Sequence, residues 1–232
     1  MKKNLIIIVP ARKGSSQIKN KNLIKLNGYP LIYYTINIAK KFIHKNNVIF
    51  CSTNSKEIKK VCENYGLEIP FMRPNSISKK LSRDLEFVNH ALNCFWKKNI
   101  TFKYGLILRP TSPVRNYNLL KKAFSYFKKS QFDSMRAIIE LNTPIYKMWS
   151  KKKNNQIISI TKSKIHEHFN APRQILPKTY YQTGNFEFFR IKNRIKLKSI
   201  SGNKIGGYLT NKKYDHDIDN KKDIVRLKNI NI

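Results

Sequence analysis

Residues 5–32 read LIIIVPARKGSSQIKNKNLIKLNGYPLI, and this stretch sets the interpretation of the whole chain. Residues 5–9 are an unbroken apolar run, which is typical of a strand covered on both faces of a sheet. Pro10 has no N–H to donate to a neighbouring strand, so we expect the strand to end there. The loop that follows, residues 11–22, is rich in small residues, hydroxyls and cations. Such a loop at the carboxyl end of a buried strand suits a polyphosphate, although a solvated connection in a lysine-rich chain would have the same composition.

Apolar strands and amphipathic helices alternate along the first part of the chain. Strands are expected at residues 5–10, 48–53, 67–71, 104–110 and 133–139. Helices are expected from Tyr29 with an apolar stripe that ends at Ile43, from Ser55 to Gly66, over about 83–98 and through 120–127. This alternation predicts an α/β fold with a doubly wound, mostly parallel sheet, and ligands at the carboxyl ends of its strands.

The alternation stops near residue 140. The next region contains three prolines and a lysine-asparagine run typical of a hairpin turn: Pro144, Pro172, Pro177 and residues 151–155. We therefore interpret about 140–183 as an insertion within a single domain that spans 1–232. Regular patterns return at 185–191, at 204–209 and in a final helix from about 221.

The chain carries 47 basic and 13 acidic residues, a formal net charge of +34. Such an excess would ordinarily indicate nucleic acid or an anionic membrane surface as a partner. Lys, Asn, Ile and Tyr are all abundant, however, and all have A/T-rich codons, so compositional bias explains the charge equally well. The lysines are spread along the chain without a basic arm, a zinc finger or an RNP pattern. We favour compositional bias and keep a nucleic-acid-binding protein as the alternative from another class.

Cysteine use and hydropathy indicate a cytoplasmic protein. Cys51, Cys62 and Cys94 are odd in number and lie within apolar patterns, as reduced core cysteines do. No apolar stretch approaches the length of a membrane span, and the amino terminus runs directly into the first strand without a signal sequence.

The stretch VPARKGSSQIKNKN followed by NGYPLI resembles the amino-terminal motif of the CMP-sialic acid synthetase family, the acylneuraminate cytidylyltransferases. The stretch 52–74, STNSKEIKKVCENYGLEIPFMRP, resembles a second motif of these sugar-acid cytidylyltransferases. The resemblance implies a Rossmann-like nucleotidyltransferase fold. It also implies a CTP site in which Arg12, Ser15 and Lys21 hold the triphosphate and Asn22 and Arg73 hold the nucleoside.

Residues 107–115, ILRPTSPVR, are similar to the family's LLQPTSPLR. Read from the residues alone, this stretch is a strand end, stiffened by prolines, that delivers Thr111, Ser112 and Arg115 into the same mouth as Arg12, or it is a helix entry with a Ser/Thr cap. The resemblance implies that Arg109, Thr111 and Ser112 contact the substrate. Arg109 stands where the family commonly has Gln near the sugar, so the identity of the sugar stays open.

Two stretches of the insertion, PIYKMW (144–149) and PRQILPKTYYQTGNFEFF (172–189), resemble the family's dimerisation region. In the family this region reaches into the neighbouring subunit's site. The resemblance therefore implies a homodimer in which Lys147 and Arg173 neutralise the negative charge of the substrate across the interface.

Asp217-Ile218-Asp219, with Asp223 four residues further on, matches the family's DID(T/S)xxD. Two carboxylates on one face of an extended segment suit a hard cation, so we expect Mg²⁺ (or Mn²⁺) at Asp217 and Asp219. The alternative is that Asp219 caps the final helix.

Taken together, the resemblance implies an enzyme that joins CTP and a 3-deoxy-2-ulosonic sugar acid, N-acylneuraminate-like, into a CMP-sugar and pyrophosphate. Its implied catalytic residues are Arg12, Lys21, Asp217 and Asp219. The product would serve surface glycan synthesis, of lipopolysaccharide or capsule. A nucleotidyltransferase of the same fold that uses another base or another sugar acid is the nearer alternative.

Overall fold

Six strands form the central sheet of the computed structural model, which describes residues 1–14, 18–192 and 195–228. The described residues contain these strands, including four in two small hairpins outside the central sheet: β1 (Lys2–Pro10), β2 (Lys25–Leu26), β3 (Tyr29–Pro30), β4 (Asn47–Ser52), β5 (Thr101–Ile107), β6 (Ser134–Glu140), β7 (Trp149–Lys151), β8 (Ile157–Ser159), β9 (Tyr180–Arg190) and β10 (Ile205–Leu209). The helices are α1 (Leu31–Lys40), α2 (Lys56–Asn64), α3 (Asp84–Lys97), α4 (Tyr117–Lys129) and α5 (Lys221–Lys228). Within the described residues, none of these helices combines the length and the apolar character that crossing a membrane requires.

The strand order of the central sheet is β10-β6-β9-β5-β1-β4. β1 pairs in parallel with both β4 and β5, and β10 pairs in parallel with β6. β9 is antiparallel to both of its neighbours, β5 and β6. The predicted mostly parallel α/β sheet is confirmed, and the carboxyl ends of β1, β4 and β5 meet at one edge.

Helices cover the sheet on both faces, as the doubly wound prediction requires. Leu5, Ile7 and Val9 of β1 pack into the core that α1, α2 and α4 cover. Ile6 and Ile8 point the other way, into the core that α3 covers. Because successive side chains of a strand alternate between faces, burial on both faces explains why the run 5–9 is apolar without a break.

Two details of the prediction are wrong. The stretch 67–71, although described throughout, forms no strand. Leu67 and Ile69 bury their side chains in the core from a loop, and Pro70 offers no N–H to extend a ladder beyond β4. Ile43 is 68% exposed, because α1 ends at Lys40 and the chain turns away from the core before reaching it.

The insertion leaves the sheet after β6 and returns to it as β9. Its β7–β8 hairpin confirms the predicted turn in the lysine-asparagine run. Large apolar side chains of this region are exposed: Trp149, Ile157, Ile158, Ile160 and Ile175.

The predicted cap of α2 is also present and gives a test of the local structure. Ser55 Oγ accepts a hydrogen bond from the Ile58 N–H at 3.3 Å, which satisfies one free donor of the first turn. We expect Ser55→Ala to lower the free energy of unfolding by about 1 kcal/mol, measured by urea denaturation. Ser125→Ala on the exposed side of α4 is the matched control and should change it by less than about 0.5 kcal/mol. Equal losses in the two variants would contradict a capping role.

Candidate functional site

A cavity of about 170 Å³ opens at the edge of the sheet where β1, β4 and β5 end. Its wall combines cations, one carboxylate and an aromatic ring. It is lined by Pro10, Arg12, Asn22, Arg73, Ser82, Asp84, Phe87, Arg109, Pro110 and Thr111. The cavity therefore brings together five residues predicted for nucleotide or substrate binding. They come from three motifs: Arg12 and Asn22 from the first, Arg73 from the stretch 52–74, and Arg109 and Thr111 from the stretch 107–115.

The loop after β1 places Arg12 at this cavity. The Asn22 amide nitrogen donates to the Arg12 carbonyl at 3.4 Å, which links the loop to the turn that follows it. The Lys13 N–H donates to Asn54 Oδ1 at 2.7 Å and fastens the loop beside the end of β4. Ser15 lies outside the described residues, so its predicted phosphate contact stays a prediction.

Lys21 faces residues 215–219, called the carboxyl-terminal segment below, and does not line the cavity. Its Nζ donates to the Ile218 carbonyl at 2.8 Å and lies 3.2 Å from Asp219 Oδ1. The Lys21 side chain is only 10% exposed, whereas that of Asp219 is 66% exposed. Lys21 thus joins the first loop to the segment that carries the two predicted metal ligands.

Arg73 presents a buried positive charge to the cavity. Its Nε donates to Ser52 Oγ at 3.0 Å, and its Nη2 donates to the Ser52 carbonyl at 2.7 Å. The guanidinium also lies over the Phe87 ring, 4.7 Å from its centroid. Burial lowers the pKa of Arg73 to about 10, so it still carries its charge at neutral pH. Both hydrogen bonds go to neutral groups, which leaves the charge available to a ligand.

Arg109 is held between two carboxylates that the sequence analysis missed. Its Nη2 donates to Asp84 Oδ2 and lies 3.6 Å from Glu187 Oε2. Asp84 is the first residue of α3, where the helix dipole favours a carboxylate, and this position is the only local feature of the sequence that points to it. No local feature points to Glu187, because its partners Arg109 and Arg136 lie far from it in the chain.

The turn after β5 is fixed from within by Arg115, and the expectation that this residue faces the mouth of the site is wrong. This residue is 9% exposed, and it donates to the carbonyls of Arg109 and Asn185, each at 2.7 Å. It also donates to Thr35 Oγ1 on α1 at 3.0 Å. The turn consequently presents Thr111 to the cavity and Ser112 to the carboxyl-terminal segment.

Asp217 and Asp219 lie in different surroundings. Ser112 Oγ donates to Asp217 Oδ1, and Gly184 packs so closely that a Cβ there would lie 2.6 Å from Asp217 Oδ2. Asp219 projects into solvent beside Lys21. Burial and the negative charge of Asp217 raise the pKa of Asp215 in the same segment.

The capping role considered for Asp219 belongs to another residue. Asn220 Oδ1 accepts from the Lys222 N–H at 2.9 Å at the start of α5. Asp223 Oδ2 in turn accepts from the Asn220 N–H, also at 2.9 Å. The Asp219 carboxylate is thus left free of the helix end.

The insertion keeps Lys147 and Arg173 away from the cavity of their own chain. Lys147 is half-buried in a single helical turn, Ile145–Lys147. Arg173 is exposed and lines a separate groove of about 370 Å³ together with Pro144 and Leu176. This placement leaves their predicted action across a dimer interface as a prediction.

A family model described as cytidylyltransferase matches residues 6–228. Pseudaminic acid cytidylyltransferase of Campylobacter jejuni subsp. jejuni serotype O:23/36 (strain 81-176) is 32% identical over 186 residues, 80% of this chain and 78% of the relative. CMP-N,N'-diacetyllegionaminic acid synthase of Legionella pneumophila subsp. pneumophila (strain Philadelphia 1) is 32% identical over 124 residues, 53% of each chain.

The solved structure of CMP:2-keto-3-deoxy-manno-octonic acid synthetase complexed with CTP shares the fold, with a TM-score of 0.67. It is 11% identical to this chain, and the match covers 97% of both chains. The family model matches nearly the whole length of the chain, and the Campylobacter enzyme is similar to it over most of that length. The chain belongs to the cytidylyltransferase family.

Proposed function

We propose that this protein transfers CMP from CTP to the anomeric hydroxyl of a nine-carbon 3-deoxy-2-ulosonic acid and releases pyrophosphate. The observation that carries the proposal is the cavity in which Arg12, Asn22 and Arg73 meet at the carboxyl ends of the parallel strands. Relatives named for pseudaminic acid and for diacetyllegionaminic acid support an acceptor of this class.

In the proposed complex, Arg12 and the loop after β1 hold the phosphates, with Ser15 in that loop. Asn22 and Arg73 hold the nucleoside. The Arg73 guanidinium is already fixed by Ser52 and Phe87, so binding a ligand requires little further ordering of its side chain. The reaction moves negative charge onto the departing pyrophosphate, and fixed cations beside it lower the barrier because they need no reorganisation.

Asp217 and Asp219 fit Mg²⁺ (or Mn²⁺) as a cofactor. Mg²⁺ commonly takes one or two protein carboxylates and completes its octahedron with substrate phosphates and water. Within the described ranges no group of three or more His, Cys, Asp or Glu side chains gathers, so the protein alone does not supply a full cage. When bound, the ion would supply positive charge to the phosphates of CTP. Lys21 and Ser112 would orient the two carboxylates toward it.

The insertion is proposed to form a homodimer. Its exposed apolar side chains, including Trp149, Ile157 and Ile158, are the kind of surface that a second copy covers. Lys147 and Arg173 lie on the same insertion and outside their own cavity, which suits action in the partner's site. We place the enzyme in the cytoplasm, where CTP is made, and assign its product to the synthesis of surface glycans.

Pyrophosphate release is the measurement that tests the reaction. Purified protein with Mg²⁺ should release pyrophosphate with CTP and at least one acid from a panel of pseudaminic, diacetyllegionaminic, N-acetylneuraminic and eight-carbon acids. ATP, GTP and UTP serve as nucleotide controls. Turnover with one of these in place of CTP, or none with any acid, would overturn the proposal.

Arg12→Ala should abolish turnover while leaving the fold intact. Removing a cation that pairs with a bound phosphate in a largely desolvated site costs about 2–5 kcal/mol, which corresponds to a loss of about thirty-fold or more. The assay is kcat/KM for CTP, with circular dichroism to verify folding. Lys122→Ala, which removes an exposed cation on α4, is the control and should behave like the wild type. Normal turnover in a folded Arg12→Ala protein would remove this residue from the mechanism.

Asp217→Asn and Asp219→Asn should lower kcat steeply but leave the Kd for CTP within about tenfold, roughly 1.4 kcal/mol. The expectation follows because cationic side chains suffice for binding, whereas the transition state gains more from a fixed metal ion. EDTA should abolish turnover by the wild type, and added Mg²⁺ or Mn²⁺ should restore that turnover. Asp133→Asn, which removes an acceptor for the backbone N–H groups of 203 and 204, should reduce stability without reducing kcat. The metal assignment is wrong if the two site variants show that same pattern.

Mixing two inactive variants tests whether Arg173 acts in the partner's site. Arg12→Ala and Arg173→Ala proteins should each be inactive alone, but a mixed dimer contains one site with both arginines present. About a quarter of wild-type activity should return once subunits exchange, because random pairing makes about half of the dimers mixed and each mixed dimer has one intact site of two. Labelled subunits verify the exchange. Exchange without recovered activity would show that Arg173 serves its own subunit's site or none.

A further inference from the structure

A second cavity, of about 290 Å³, adjoins the nucleotide cavity and shares two wall residues with it, Asp84 and Arg109. The Asp84–Arg109 ion pair thus stands at the boundary between the two spaces. Leu85, the residue after Asp84 on α3, lines the second of these two cavities and not the first. A molecule that reacts with a nucleotide in the first cavity has room to extend one arm into the second.

Charges of alternating sign run along the wall of the second cavity. Arg109 lies between Asp84 and Glu187, and Glu187 Oε1 accepts from Arg136 Nη2 at 3.0 Å. The sheet register explains the arrangement, because Glu187 on β9 pairs directly with Arg136 on β6 and with Ile107 on β5. The two arginines and two carboxylates of this series neutralise one another, and the exposed Lys198 adds one further cation to the wall.

Glu187 is the member on which the series depends. It is only 6% exposed, and an ionised carboxylate at such a site is stable only when cations flank it. Conversely, Arg109 and Arg136 are both held by this one side chain. Because Arg109 already has carboxylates on two sides, it is a poor candidate for neutralising the carboxylate of the acceptor.

The remaining wall groups define what the cavity can recognise. Arg136 donates to the Gln182 side-chain oxygen, and its Nη2 donates to Ser201 Oγ at 2.6 Å. Leu85 and Ile200 supply a small apolar surface. The wall therefore offers hydrogen-bond donors, hydrogen-bond acceptors and a place for a short alkyl group. Among the described wall residues, an anionic arm would meet two carboxylates and only one unpaired cation, the exposed Lys198, whereas a cationic arm would meet two guanidinium groups and Lys198.

We propose that this cavity receives an acylamino substituent of the sugar acid, and that Glu187 is the positioning residue that holds Arg109 and Arg136 for it. The inference rests on the proposed function. An acylamino group is neutral and planar, it donates through its N–H and accepts through its carbonyl, and its alkyl end fits against Leu85 and Ile200.

Glu187→Gln tests the proposal, since it removes the charge and keeps the shape and one acceptor oxygen. The acceptors are pseudaminic, diacetyllegionaminic and N-acetylneuraminic acids, each beside its analogue with a hydroxyl in place of one acylamino group. We expect kcat/KM for the preferred acylamino acid to fall tenfold or more, the preference over its hydroxyl analogue to shrink by a similar factor, and KM for CTP to change less than twofold. Glu63→Gln, in an exposed i,i+4 pair with Lys59, makes the same chemical change on the surface and should alter none of these values.

Gln182→Leu provides a second variant, because this residue is exposed and its replacement leaves the core untouched. It should reduce the same preference, and it decides the question if Glu187→Gln fails to fold. An unchanged preference in the folded variant overturns the inference, while pyrophosphate release by the wild type leaves the proposed function standing. A wild type that turns over no acid at all overturns the proposed function and this inference with it.

Discussion

The buried guanidinium of Arg115 is the constraint on which the geometry of the cleft depends. It ties the turn after β5 to β9 and to α1 through four hydrogen bonds, to the carbonyls of Arg109, Gly184 and Asn185 and to the Thr35 hydroxyl. All four acceptors are neutral, and burial lowers the pKa of Arg115 to about 9. Because a buried charge must have its hydrogen bonds satisfied, the three chain segments are held in one arrangement. This arrangement of the three segments fixes the positions of the side chains that face the two cavities.

Local patterns in the sequence were enough to predict most of the fold. Burial on two faces made the first strand an unbroken apolar run, and the cap at Ser55 and the hairpin turn in the insertion had clear local signals. The predicted strand at 67–71 failed because apolar side chains can enter a core from a loop. The site was harder to predict, because its ion pairs join residues far apart in the chain. Arg109 meets a residue 25 positions away, and Lys21 meets one 198 positions away.

The acidic residues of this chain are few but are used at the cleft. Of the 13 Asp and Glu residues, Asp84, Glu187, Asp217 and Asp219 lie at the two cavities or beside them. The lysines, in contrast, are distributed over the surface. A protein of net charge +34 attracts anions from a distance, so CTP and an acidic sugar would both arrive faster at low ionic strength. A net positive charge of this size can therefore assist an enzyme with anionic substrates, whatever its origin.

The place of β9 in the sheet has a consequence for how the protein is made. β9 is synthesised after β5, β6 and the whole insertion, yet it lies between β5 and β6. Until the ribosome has produced residue 190, β5 has one open edge and β6 has no partner strand, because β10 follows β9 in the chain. Open edges of this kind attract other strands and promote aggregation. The nascent chain therefore completes its sheet late, when β9 pairs with β5 and joins β6 to the strands made before it.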